Sequence, residues 1–290
     1  MKSVAIVGVG NMGGAMARRL LDARWPVRVF DIDAGKVDAL QALGATGCSD
    51  PQQAAHDCGL LIVCVVDAAQ TEEVLFGPRG AATSMQPGQA VMLCPTIAPT
   101  DTQDFARRLV DRGLGVIDAP MSGGPGRARD GTMSLMVACS DATFEAHRDV
   151  IGALSGKVFR ISEKPGDGAR TKLVNNLLAG INLAGAAEVM ALAQRLGLPL
   201  DRTLDVIEQS SGQSWIGSDR MRRAIAGDYE PRAHVSLLQK DTRLAVEAAS
   251  AAGFEGPLGP VARDVFERAA RAGFSALDDA ALFRLFTQVR

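Results

Sequence analysis

The stretch Val4-Ala5-Ile6-Val7-Gly8-Val9-Gly10-Asn11-Met12-Gly13, continued by Gly14-Ala15-Met16-Ala17-Arg18-Arg19-Leu20, decides the fold. Its apolar opening predicts a buried strand, and Met12, Met16, Leu20 and Ala23 then recur at helical spacing. The pattern Gly8-x-Gly10-x-x-Gly13 therefore falls at a strand-to-helix junction, where missing side chains let the turn close and a pyrophosphate approach the helix N-terminus. Unpaired N–H groups and the helix dipole favour an anion there. Asp31 follows Gly13 by 18 residues, at the end of the next β-branched run. A carboxylate in that place accepts hydrogen bonds from a ribose diol and repels a 2′-phosphate, so NAD is predicted over NADP. Gly8, Gly10, Asn11, Met12, Gly13 and Asp31 are the predicted cofactor contacts.

Outward from this unit, short β-branched runs alternate with helix-like stretches up to about Glu163, the signature of βαβ units feeding a parallel sheet. Candidate strands are Val4 to Val7, Val27 to Phe30, Leu60 to Val66, Ala90 to Leu93, Gly115 to Ile117, Met133 to Ala138 and Val158 to Ile161. After Lys164-Pro165-Gly166-Asp167-Gly168 the texture changes, and no further strand is predicted. Ala169 to Leu196 reads as one unbroken helix, long enough to link two domains. The expected fold is α/β: an N-terminal Rossmann dinucleotide-binding domain at 1–164, and an all-α C-terminal domain at 165–290 for substrate and oligomerisation, joined by the long helix.

Thirty-one basic residues against 33 acidic ones give a net charge of -2, which removes the electrostatic footprint that nucleic acid or an anionic membrane would need. The longest purely apolar run, Leu60 to Val66, is too short to span a bilayer, and the apolar N-terminal stretch is too short for a secretory signal. A cytoplasmic protein is expected, with no membrane or nucleic-acid partner. Five cysteines without a C-x-x-C spacing suggest reduced, mostly buried thiols, and no metal site is predicted.

Two further segments carry polar chemistry. In Asp118-Ala119-Pro120-Met121-Ser122-Gly123-Gly124, Ser122 and the amides of Gly123 and Gly124 form either a concave donor set for a carboxylate or a plain turn. In Gly168-x-x-x-Lys172-x-x-x-Asn176, the lysine and the asparagine share one helix face, flanked by Gly168 and Gly180, which leaves a hollow beside them. The chain has six lysines against 25 arginines, and lysine is the one that can lose its charge on burial and trade a proton. The alternative is a solvated lysine beside a backbone-bonding asparagine. Lys240-Asp241 reads by pattern as a surface ion pair, and His56, His147 and His234 have no ligand spacing.

In order and spacing, Gly-x-Gly-x-Met-Gly at 8–13, Asp-Ala-Pro-x-Ser-Gly-Gly at 118–124, Asp-Gly-Thr-x-Ser at 130–134, Gly-x-x-x-Lys-x-x-x-Asn at 168–176 and Lys-Asp at 240–241 resemble the β-hydroxyacid dehydrogenase family nearly end to end. The resemblance implies hydride transfer between nicotinamide and the 3-hydroxyl of a small acid of the 3-hydroxyisobutyrate, L-threonate or glycerate type. The alternatives are a tartronate semialdehyde reductase, an imine reductase, against which Lys172 argues, or a silent dinucleotide-binding protein. It implies Lys172 as the catalytic acid–base group, Ser122, Gly123, Gly124 and Asn176 as substrate contacts, and Thr96 and Lys240 as cofactor contacts. Val65, Val66 and Gln70 are cofactor contacts by position, although Val65-Val66-Asp67-Ala68-Ala69-Gln70 replaces the family's usual Leu-Pro-x-x-x-Asn. A homodimer or homotetramer is also implied.

Overall fold

The glycine-rich opening folds as a strand, a turn and a helix, and the same unit recurs along the first half of the chain. The computed structural model describes residues 3–287. In chain order they form β1 (Ser3–Val7), α1 (Asn11–Asp22), β2 (Val27–Phe30), α2 (Ala34–Gln41), β3 (Thr46–Gly47), α3 (Pro51–Ala55), β4 (Cys58–Val63), α4 (Ala68–Phe76), β5 (Ala90–Leu93), α5 (Pro99–Val110) and β6 (Gly115–Asp118). There follow β7 (Met121–Ser122), α6 (Gly124–Asp130), β8 (Ser134–Ala138), α7 (Asp141–Leu154) and β9 (Lys157–Ser162). The remainder is helical: α8 (Asp167–Arg195), α9 (Leu200–Glu208), α10 (Trp215–Ile225), α11 (Val235–Ala251), α12 (Leu258–Arg271) and α13 (Leu282–Thr287). This is a Rossmann domain followed by an all-helical domain.

The strands run in the order β3-β2-β1-β4-β5-β6-β8-β7, with β9 beside β8. Pairings from β3 across to β6 are parallel, whereas β8 meets β6 and β7 antiparallel. The sheet is thus mixed rather than all-parallel as the alternation predicted, because the chain doubles back through Pro120. Alternate residues point to opposite faces. Ile6, Leu60, Ile62 and Met92 enter one core with Met16 and Leu20 of α1, while Val7, Leu61, Val63 and Leu93 enter the other with Leu75 and Leu109. Both faces are covered, which explains the unbroken apolar runs.

Side-chain caps set several helix starts: Asp33 accepts from Gly35 N, Asp50 from Gln53 N, Asp67 from Gln70 N and Ser140 from Thr143 N. The Asp67 cap accounts for one departure from expectation, since β4 ends at Val63 instead of Val66 so that the chain can turn into α4. The two-residue strands β3 and β7 were not foreseen, and no strand follows Ser162 among the described residues.

The chain divides into two compact units, Met1–Lys172 and Leu173–Arg290. In the second, Leu183, Ala187 and Met190 of α8 pack with Met221, Phe266 and Phe283. By length and apolarity alone the 29-residue α8 qualifies as a membrane span. Asn175, Asn176 and Glu188 interrupt it, so it holds no long unbroken apolar run. Its fully buried residues in this core are those of a helix packed inside protein.

Candidate active site

The carboxyl ends of β1, β2, β4, β5 and β6 lie side by side along one edge of the sheet, where doubly wound folds place their ligands. Gly8 leaves β1 with φ +88°, and a Cβ on it would lie 2.6 Å from Cys64 O. A Cβ on Gly13 would collide with Gly8 O, so the turn closes only with glycine at both places. Gly10 is the N-cap of α1 and offers no side-chain hydrogen bond to its first amides, and the space where its Cβ would stand is open. That uncapped, unobstructed terminus fits a pyrophosphate. Asn11 begins the helix as an exposed residue, while Met12 packs partly into the core beneath.

Asp31 follows β2 immediately, and backbone amides fix its carboxylate from both sides: Oδ2 accepts from Val9 N at 2.7 Å and Oδ1 from Asp33 N at 3.0 Å. After β4, Val65 packs against the core, and Val66 is 49% exposed with its N–H donated to Gln70 Oε1 at 3.1 Å. Gln70 thus closes its own loop. Thr96 stands half-buried between β5 and α5.

The segment after β6 places the second cluster. Ser122 ends β7 opposite Ser134 of β8. Gly123 and Gly124 follow with φ +122° and +73°, conformations that favour glycine. Lys172, in the second turn of α8, is only 8% exposed and donates from Nζ to Met121 O at 2.6 Å. The first unit therefore brings Lys172 to the backbone carbonyl next to Ser122, and the solvated-lysine alternative fails. Asp118, named in the motif but given no role by the sequence, is 1% exposed, and its Oδ2 accepts from Gly166 N at 2.7 Å and Ala169 N at 3.1 Å.

In the second unit Asn176 is buried and donates from Nδ2 to Asp241 Oδ2 at 2.6 Å. Asp241 Oδ1 in turn pairs with Lys240 Nζ at 2.7 Å. The expected surface ion pair is consequently wrong: the two side chains are 17% and 8% exposed, because α11 turns this face towards α8. A buried Asp241 leaves no signature in a single sequence, since Lys-Asp is common on solvated helices.

A sheet edge with an open glycine turn and an acid beyond the second strand is that of a dinucleotide-dependent oxidoreductase. Residues 3–162 match the family described as the NAD binding domain of 6-phosphogluconate dehydrogenase, and residues 166–286 match the NAD-binding region of NADP-dependent 3-hydroxyisobutyrate dehydrogenase. L-threonate dehydrogenase of Escherichia coli K12 is 40% identical over 287 residues, covering 99% of this chain and 95% of that protein. The crystal structure of 3-hydroxyisobutyrate dehydrogenase from Salmonella typhimurium superposes with a TM-score of 0.92 at 38% identity, covering 98% of this chain and 100% of that one. The solved structure of Mycobacterium tuberculosis 3-hydroxyisobutyrate dehydrogenase with L-serine gives 0.88 at 26% identity, covering 98% of this chain and 99% of that one. The chain belongs to the β-hydroxyacid dehydrogenase family and is an NAD-dependent oxidoreductase acting on the hydroxyl group of a small hydroxy acid.

Proposed function

We propose that the enzyme oxidises a small polyhydroxy acid of the L-threonate type, with Lys172 as its acid–base group. The observation that carries this reading is the buried Lys172 amine held on Met121 O, one residue from Ser122. Bound nicotinamide dinucleotide supplies the hydride acceptor. One N–H of the neutral amine is committed to Met121, and its lone pair takes the proton of the substrate hydroxyl as the C–H bond breaks. In reduction the ammonium returns that proton. Ser122 and the Gly123 and Gly124 amides hold the substrate carboxylate, and Asn176, steadied by Asp241, orients the rest of the acid.

Gly8, Gly10, Gly13 and the first amides of α1 hold the pyrophosphate, with Asn11 and Met12 contributing backbone, and Asp31 takes the adenosine ribose. Val65, Val66, Gln70 and Thr96 line the nicotinamide side, and Lys240 contacts the cofactor. Residues 1–164 are the dinucleotide domain, and 165–290 serve substrate choice and self-association. Val174, Leu178 and Leu192 of α8 are exposed in the single chain, which supports a homo-oligomer. A cytoplasmic location completes the reading.

Steady-state assays of C3 and C4 hydroxy acids with NAD and NADP test it. L-threonate is expected to give the highest kcat/KM, and a tenfold preference for 3-hydroxyisobutyrate would overturn the substrate assignment. Product analysis reads the position attacked, because oxidation at the expected C3 leaves a 3-oxo acid that loses carbon dioxide, whereas oxidation at C2 leaves a stable 2-oxo acid.

A further inference from the structure

We propose that Asp118 is a positioning residue whose ionised carboxylate, seated on the first amides of α8, holds the lysine-bearing turn against the loop that carries Ser122. The inference rests on the reading of Lys172 as the acid–base group. The first amides of a helix have no partner within the helix. At α8 the Asp118 carboxylate takes that place from outside, accepting from Gly166 N and Ala169 N. Gly168 lets it come close, since a Cβ there would lie 2.9 Å from Asp118 Cγ and Oδ1. Three residues beyond Asp118, Met121 O receives Lys172 Nζ. Residues 118–121 thus grip α8 at two points about one turn apart, and Ser122 follows directly. A shift of the first turn would carry Lys172 away from the serine loop.

A helix terminus gains from a negative charge, so the grip depends on ionisation. Burial works the other way and pushes the Asp118 carboxyl up to about 6, against the backbone hydrogen bonds that lower it. The charged or titratable groups facing it are Asp167 at the start of α8, the Cys94 thiol after β5 and the Cys139 thiol after β8. Below that pH the carboxyl is protonated, one of its oxygens becomes a donor, and the pair of hydrogen bonds that sets the position of the turn is rearranged.

The reductive direction isolates this titration. There Lys172 must carry its proton, so acidification does not deplete it, and an acid limb near pH 6 reports Asp118. Reductive kcat is to be measured from pH 5 to 8 in the wild type and in Asp118→Asn, together with NADH affinity. The wild type should lose activity below about pH 6. The variant should lack that limb and run on the order of tenfold slower at pH 7, with NADH binding unchanged. An acid limb that persists in Asp118→Asn overturns the proposal. The NMR shifts of the wild-type Gly166 and Ala169 amide protons, which report the hydrogen bonds to Asp118 Oδ2, give a second readout that needs no variant to fold: they should titrate with a midpoint of about 6, and shifts that do not change with pH overturn the proposal equally. Lys172→Arg tests the acid–base reading separately, because it leaves the Asp118 carboxylate and the titration of these amides in place.

Discussion

Lys172 can give up its proton where arginine cannot, and that difference is the sharpest test of the chemistry. Lys172→Arg keeps a cation near Met121 O but should lower kcat by roughly 10²–10⁴, with NAD affinity intact by calorimetry. Near-normal kcat would reduce the lysine to an electrostatic anchor. Asp31, fixed by the Val9 and Asp33 amides, should favour NAD over NADP at least tenfold in kcat/KM, about 1.4 kcal/mol, and equal values would show that its charge does not meet the 2′-phosphate. Gly123→Ala forces a Cβ to within 2.9 Å of Arg127 Cδ at a φ of +122°. It should raise KM for the acid several-fold while leaving NAD affinity alone; an unchanged KM places the carboxylate elsewhere. The glycine turn and Asp31 were legible in the sequence because their roles depend on neighbours at short fixed offsets. Asp118 and Asp241 were not, because their partners Ala169 and Asn176 stand 51 and 65 residues away and nothing local marks either carboxylate as buried.

At the scale of elements, periodicity located the long parallel strands and the start and end of α8 to within two residues. It missed β3 and β7, since two residues are too few to show alternation. Helix α8 shows why its glycines are placed as they are. A Cβ on Gly180 would lie 2.6 Å from Thr242 Cγ2 and 3.3 Å from Phe266 Cε2, both fully buried residues of the second unit. Gly180→Ala should therefore destabilise by about 1–3 kcal/mol through overpacking, in spite of alanine's better helix propensity. Urea denaturation would check the sign, and a gain in stability would mean that α11 and α12 yield at little cost.

Across the whole molecule each unit has its own apolar packing, and both bury charge. Arg220 of α10 is hydrogen-bonded to Asp279, a carboxylate 1% exposed. Burial pushes the Asp279 carboxyl up to about 6 even though Arg220 lowers it. A folded pKa above the unfolded value means that the stability Asp279 contributes is full below about pH 4 and is lost as pH rises through about 6. Arg220→Ala leaves that carboxylate without its partner, so the loss should be about 3–5 kcal/mol at pH 8 and smaller at pH 5, where the acid is neutral. Equal losses at both values would show that packing of the arginine stem, not charge, is what matters. The division of α8 has a consequence for recombination. Because the units part between Lys172 and Leu173, inside a continuous helix, a seam in the loop at 163–166 sends the lysine with the carboxyl-terminal half, whereas a seam after 172 leaves it behind. Chimaeras with a relative of different acid preference, joined at each seam in turn, would therefore assign that preference to the residues before the first joint, to the short stretch between the two joints or to residues 173–290.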